Sequence, residues 1–327
     1  MTQKFRILSL SGGGIRGVYS ASFLAKLEEF TGKRVADHFD LIVGTSTGGL
    51  IALGLGLGHS ASDIRKFYFD HGEKIFTKRP WLMRKLNPKA SIRPKYAQDG
   101  LRKALKGLLG EDVKLGESNN RLVINAMYAE GSAPRCYKTR HHPEYDRDHR
   151  EPAWDVGLST SAAPIFFPAN LAVDGKHHLD GGLWANCPIV VGIAEAIGKL
   201  GQRPEDLDIL SIGTCRHSVT PSPLALIGGV LPYVLPGPGR LHEVIMEAQR
   251  AAAMNTAQIM LGEGAILEID DLVDKGRFEM DNTSASHLND LRTHGEAKAE
   301  KRSQEIATRF LAVQAAPFTA IPENRAA

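Results

Sequence analysis

Leu41-Ile42-Val43-Gly44-Thr45-Ser46-Thr47-Gly48-Gly49 decides how the rest of the chain is read. Three apolar, β-prone residues run straight into Gly-x-Ser-x-Gly, and a Gly/Ala/Leu-rich helical stretch follows to about residue 57. A serine at a sharp strand-to-helix turn is pushed clear of the sheet with its hydroxyl accessible. Its flanking glycines, here Gly44 and Gly48, let the backbone bend that tightly. The helix that begins there points unpaired N–H groups and its positive dipole end at the turn, where negative charge develops during acyl transfer. Gly and Ser also fill ordinary turns; the strand before and the helix after make Ser46 the candidate nucleophile.

The chain upstream supplies a partner for that serine. Phe5-Arg6-Ile7-Leu8-Ser9-Leu10 reads as a buried strand that ends in Ser11-Gly12-Gly13-Gly14-Ile15-Arg16-Gly17. Val18, Ala21, Leu24, Leu27 and Phe30 then recur at helical spacing, with Gly32 as the stop. Gly12, Gly14 and Gly17 match the dinucleotide fingerprint, so a Rossmann-type nucleotide-binding protein has to be weighed. That fingerprint wants an acid closing the second strand. Here Asp37 and Asp40 precede the strand, which closes on Gly44-Thr45-Ser46. The competing reading is an oxyanion hole, in which side-chain-free backbone at Gly12, Gly13 and Gly14 brings N–H groups up to a developing alkoxide, with Arg16 beside it. The adjacent serine favours the oxyanion hole.

Composition bounds the rest. The chain has 327 residues, 43% apolar and 24% charged, with a net charge of +3, too small to demand DNA or RNA as a partner. Cys136, Cys187 and Cys215 form no metal-type pair, and an odd count does not suit a secreted disulfide framework. They read as reduced, buried thiols of a cytoplasmic protein. Residues 1–5 lack the apolar core of a signal peptide, and the apolar run 41–58 is interrupted by Thr, Ser and Gly, so no membrane-spanning helix is expected.

Further helices are expected at 64–76 (capped by Ser62-Asp63), 99–109, 154–163, 189–200, 241–261 and 297–313, and strands at 121–128, 135–139, 207–214 and 265–269. Strands alternating with helices imply an α/β fold, a mainly parallel sheet covered on both faces. One domain over 1–314 is expected, with a loose tail at 315–327. Residues 78–95 hold seven Lys or Arg, no acid and a Trp-Leu-Met cluster, which suits an anionic lipid surface or a phosphate, or equally a solvated connection. The Pro/Gly/Leu-rich stretch 220–240 reads as a lid or interfacial loop. His141, His142 and His149 lie in a mixed-charge stretch without a metal-binding frame, which reads as a surface loop. Asp180-Gly181-Gly182, after a short strand and before the helix at 189, places a carboxylate on a second loop at the sheet end. Histidines 217, 242, 287 and 294 all follow Asp180, so order alone does not exclude a Ser-Asp-His triad; His217 comes nearest to a strand-end position.

Taken together, Ser11-Gly12-Gly13-Gly14-Ile15-Arg16-Gly17, Gly44-Thr45-Ser46-Thr47-Gly48-Gly49, Ser159-Thr160-Ser161-Ala162-Ala163-Pro164-Ile165-Phe166-Phe167-Pro168 and Asp180-Gly181-Gly182 resemble the patatin-like phospholipase family, over residues 5–214. The resemblance implies a three-layer α/β/α fold and hydrolysis of membrane phospholipids by a Ser46–Asp180 dyad. Gly12, Gly13, Gly14 and Arg16 would form the oxyanion hole, Gly44 and Gly48 the elbow, and Gly181 and Gly182 the acid loop. Neither metal nor organic cofactor is called for. A compact bacterial-looking chain of this kind also resembles antiphage effectors switched on by a cyclic oligonucleotide, peripheral at the inner membrane when active. A constitutive lipid acyl hydrolase of lipid turnover is the alternative, and the oligomeric state stays open.

Overall fold

A strand buried on both faces needs a partner on each edge. In the computed structural model, which describes residues 4–77, 94–217, 219, 241–274 and 276–322, the first strand, β1 (Phe5–Leu10), has both. It pairs in parallel with β2 (Leu41–Thr45) on one side and β7 (Leu207–Ile212) on the other. Outward from these, β2 pairs in parallel with β3 (Arg121–Tyr128) and β7 with β9 (Ile266–Ile269). Around β3 the sheet turns antiparallel. There β4 (Ala133–Lys138) and β6 (His177–Asp180) both run against it, and β5 (Asn170–Leu171) completes that end. A separate parallel pair joins β8 (Arg216–His217) to β10 (Leu272–Val273).

The two faces sort the side chains as strand alternation requires. Leu8, Leu10, Ile42, Leu122, Ile124, Leu210 and Ile212 face a large cluster with the helices α1 (Gly17–Thr31), α2 (Thr47–Gly56), α3 (Ala61–Ile75), α4 (Asp99–Leu109), α5 (Ala153–Thr160) and α9 (Ala285–Arg309). Ile7, Leu41, Val43, Val123, Leu207 and Ile209 face the other way, against α7 (Ile189–Gly198) and α8 (Leu241–Leu261). The result is the expected α/β/α layering around a mainly parallel sheet. A one-turn helix, α6 (Gly182–Ala185), follows β6.

Most expected elements stand within two or three residues of their reading. Four readings change. The last helix begins at Ala285 and not at 297: Ser284 accepts from the His287 N–H, and His287, Leu288 and Leu291 are buried at helical spacing. The cap of α3 is Ser60, whose hydroxyl accepts from Asp63 N–H, not the Ser62-Asp63 pair. His141 is no surface-loop residue: its ring is buried between Thr139 Oγ1 and Glu195 Oε1. The stretch expected to be loose after 314 is held at Ala315, whose N–H donates to Asp37 O, and at Ile321, whose N–H donates to Arg140 O. Residues 78–93 of the basic stretch and 220–240 of the Pro/Gly-rich one lie outside the described residues.

Candidate active site

Strand pairing brings Ser46 and Asp180 together. β4 pairs with β3 over Val123–Tyr128, which leaves one edge of β3 for its other two partners. Both β2 and β6 use that edge. β2 climbs it from one end until Thr45 sits opposite Asn125, and β6 descends from the other until Asp180 sits opposite Ala126. Asn125 and Ala126 are neighbours, so the two strands end tip to tip, and the residue after Thr45 is Ser46.

At that tip the backbone of Ser46 takes φ 55° and ψ −125°, a left-handed conformation that a non-glycine residue adopts at a cost of about 1–3 kcal/mol. The surroundings enforce it. The Ser46 N–H donates to Thr160 Oγ1 (2.9 Å), and Thr160 in turn donates to Asn125 O (2.5 Å). On Gly48 a Cβ would collide with the Leu10 carbonyl, and on Gly44 it would lie 2.5 Å from Gly48 O, so both elbow glycines are required by close approach. α2 starts at Thr47, and its positive end lies at the serine.

The Asp180 carboxylate lies beside the Ser46 side chain, which acts on its titration, and accepts from Gly182 N–H at 2.6 Å. Burial pushes this carboxyl up to about 6, against the lowering effect of Ser46 and the Gly182 N–H. Gly181 packs on the Asn125 backbone, and Gly182 lies beside the Asp180 and Asn186 side chains. An acid that must take a serine proton is a better base when desolvated in this way.

The glycine loop faces the same point, with a division of labour that its sequence does not reveal. Gly12 N–H is engaged by Asn186 O at 3.0 Å, and Ile15 N–H by Met280 O at 2.9 Å. Between them, the N–H groups of Gly13 and Gly14 have no acceptor among the described residues. Each is aimed by the carbonyl of its own peptide plane, since C=O and N–H point oppositely across a trans peptide. Gly12 O accepts from Thr214 Oγ1 (3.1 Å) and Asn186 Nδ2 (3.4 Å), and Gly13 O from the Arg16 N–H and Nε (both 3.3 Å). Gly14, at φ 61°, completes the bend. Arg16 therefore lies behind the glycine loop. It is buried, and its Nη1 donates to the carbonyl of Cys215, itself held at φ 64°. The Gly12 N–H is engaged within the protein, and Thr214 and Asn186, which the sequence reading missed, hold the Gly12 carbonyl in place.

Ser46, Asp180, Gly13 and Gly14 open on a cavity of about 280 Å³, walled by apolar side chains such as Leu50, Phe67, Phe76, Phe166, Phe167 and Met280. The Phe166-Phe167 corner between two prolines thus lines an acyl-sized pocket. A second cavity of about 60 Å³ lies behind the glycine loop, lined by Gly12, Arg16, Thr214, Arg216, His217 and Asp270. His217 belongs to that cavity and not to the serine's, whereas His242, at the start of α8, lines both. The third glycine of the dinucleotide-like pattern, Gly17, packs on the Thr47 and Tyr68 hydroxyls, and the Asp40 carboxylate accepts from Arg6 N–H at the start of β2. Neither is placed to hold a pyrophosphate or a ribose. Among the described residues no cluster of His, Cys, Asp or Glu is arranged to hold a metal, and no helix is long and apolar enough to cross a membrane.

A family model described as patatin-like phospholipase matches residues 8–193. A cGAMP-activated phospholipase of Vibrio cholerae is 31% identical over 326 residues, 90% of this chain and 90% of that protein. Its namesake in Escherichia coli is 34% identical over 235 residues, covering 68% of this chain and 65% of that relative. Patatin-like protein 1 of Arabidopsis thaliana is 30% identical over 345 residues, with coverage of 92% and 82%.

Proposed function

The chain belongs to the patatin-like phospholipase family, and from that premise we propose that it is a lipid acyl hydrolase of the phospholipase A type, working through a Ser46–Asp180 dyad and switched on by a cyclic oligonucleotide. The observation that carries the hydrolase reading is that Ser46 and a desolvated Asp180 meet at the tips of two strands and open on one apolar cavity.

The steps follow from the geometry. Asp180 takes the Ser46 hydroxyl proton as Oγ attacks the ester carbonyl. The tetrahedral oxyanion receives the N–H groups of Gly13 and Gly14 and the positive end of α2. Collapse expels the alcohol, which leaves with the proton from Asp180, and the acyl chain stays on Ser46 within the apolar cavity. Water then repeats the sequence: Asp180 takes its proton, the hydroxide attacks the acyl-enzyme, and the fatty acid departs as Ser46 regains its proton. With membrane phospholipid as substrate, unrestrained turnover would damage the host cell, which fits an effector of antiphage defence that stays off until a signal arrives.

Two relatives named as cGAMP-activated support the nucleotide switch, one of them along nine tenths of the chain. The Arabidopsis relative, whose name carries no activator, keeps a constitutive lipid hydrolase as the second reading. The test is fatty-acid release from phospholipid vesicles by the purified protein, with and without a panel of cyclic di- and trinucleotides. Release that depends on one member of the panel is expected. High release without any nucleotide leaves the constitutive enzyme, and no release under any condition removes the hydrolase reading.

A further inference from the structure

We propose that Asp270 is a positioning residue for the oxyanion hole, its carboxylate holding the turn 213–216 that stands behind the glycine loop; this rests on Gly13 and Gly14 N–H receiving the oxyanion of the Ser46 reaction. The parallel register of β7 and β9 puts Ile269 opposite Ile212, and Gly213 N–H continues the ladder to Ile269 O at 2.8 Å. Asp270 is the next residue, and it comes up against Gly213. A Cβ on Gly213 would collide with the Asp270 carboxylate, so the acid fits there only because that residue is glycine.

From that place Asp270 Oδ1 accepts from two successive backbone groups, Cys215 N–H (3.0 Å) and Arg216 N–H (3.3 Å). Successive N–H groups turn toward one anion where the backbone bends through a left-handed residue, and Cys215 stands at φ 64°. A non-glycine residue keeps such a conformation only when its surroundings enforce it. Asp270 does so from one side. From the other, Ser20 Oγ of α1 donates to Gly213 O at 2.7 Å.

What leans on this turn is the glycine loop. Thr214 Oγ1 donates to Gly12 O, and the Thr214 side chain fills the space that a Cβ on Gly13 would take. Cys215 O accepts from Arg16 Nη1 (2.9 Å), and Arg16 Nε donates to Gly13 O. Those two loop carbonyls share peptide planes with the N–H groups of Gly13 and Gly14, so both donors are aimed from the turn. Charge follows the same route. Burial works against the Arg16 cation, and Asp270 is foremost among the groups that favour it. Arg16 gives its hydrogen bonds to carbonyls, so the acid supports it from one peptide behind. Burial, with Glu268 adding to it, pushes the Asp270 carboxyl up to about 6 against Arg16, Arg216 and Arg250, which leaves it ionised at pH 8.

The test is hydrolysis of p-nitrophenyl butyrate at pH 8, with and without cyclic GMP–AMP and well below each variant's melting temperature, beside amide hydrogen exchange over residues 11–17. Asp270→Ala is expected to lower kcat by roughly tenfold with KM unchanged, because the oxyanion donors are misaimed and not removed. Asp270→Asn keeps an oxygen for the two N–H groups and should return kcat to within about threefold of the parent. Exchange at Gly12, Ile15 and Arg16, whose N–H groups are hydrogen-bonded, should quicken several-fold in Asp270→Ala and not in Asp270→Asn. Asp270→Ser, too short to reach the turn, takes the place of Asp270→Ala if that variant does not fold. Asp271→Ala is the control. Its carboxylate joins Tyr19 of α1 to Lys298 of α9, so its loss should lower the melting temperature with kcat and loop exchange unchanged. The proposal is overturned if Asp270→Ala keeps the parent kcat or changes KM alone. It is equally overturned if Asp270→Asn is no better than Asp270→Ala, or if Asp271→Ala loses as much kcat. A parent that hydrolyses no ester in either condition removes the hydrolase reading, and the exchange result then decides by itself whether Asp270 holds the loop.

Discussion

At the scale of single residues, Asp180 makes the sharpest predictions. Its carboxyl stands at about 6 in the folded protein against 3.8 for an ordinary aspartate. As a base it must be ionised, so kcat/KM is expected to rise with pH along a limb centred near 6. The same burial costs stability. Between pH 3.8 and 6 the unfolded chain gives up this proton while the folded chain keeps it, so this contribution to stability falls as pH rises through that window. Above it the cost is on the order of 3 kcal/mol. Asp180→Asn should therefore be inactive yet more stable than wild type at pH 8, by up to about 3 kcal/mol in urea unfolding, with the gain fading towards pH 4. A variant less stable than wild type at pH 8 would mean the carboxylate holds the fold together. Thr214→Val keeps the shape but removes the shorter of the two hydrogen bonds to Gly12 O. It should lower kcat roughly tenfold with KM unchanged, well inside the ~2.7–4 kcal/mol that losing a whole oxyanion donor costs, and Thr214→Ser should restore activity. The placing of Ser46 and Asp180 at two strand ends, with a glycine loop beside them, was legible because each sits in a short local pattern. Thr214 and Asn186 were not. Their roles depend on bonds to a loop 202 and 174 residues away in the chain, and nothing in their own neighbourhoods signals it.

At the scale of elements, the strand-to-helix turn at Ser46 is the most constrained joint. Adding a Cβ to Gly48 drives it into the Leu10 carbonyl at the end of β1, which has no flexible side chain to give way. Gly48→Ala should cost about 1–3 kcal/mol of stability by overpacking, read as a lower urea midpoint, and activity should fall with it. An unchanged midpoint would show that β1 and α2 can move apart. β3 and α8 were legible to the residue, because each is one uninterrupted pattern with turn residues beyond it. The early start of α9 was hidden, since its first turns carry polar residues and bury only His287, Leu288 and Leu291. The shared edge of β3 was equally hidden: apolar alternation marks a strand, but not whether one partner or two lie along it.

At the scale of the whole molecule, the layering followed from strands alternating with helices, whereas the uneven cover, with most helices on one face, did not. Among the described residues, the faces are unequal because α7 and α8 are the helices that pack on the side of Ile7, Val43 and Ile209. Ser46, Asp180, the glycine loop and the cavity already stand together within the single chain. A nucleotide activator is thus expected to act on access to the cavity or on the assembly of copies, through its preference for the open state. Activation should be several-fold larger with vesicle phospholipid than with a short soluble ester. Equal activation of both substrates would place the switch at the dyad itself. The central claim is that Ser46 is the acyl nucleophile and Asp180 its base. It is tested most directly by reacting the protein with a fluorophosphonate, with and without cyclic GMP–AMP, and mapping the adduct by mass spectrometry. The account predicts one adduct, on Ser46, absent from Ser46→Ala and formed far more slowly in Asp180→Ala; an adduct on another serine, or undiminished labelling of Asp180→Ala, would contradict it.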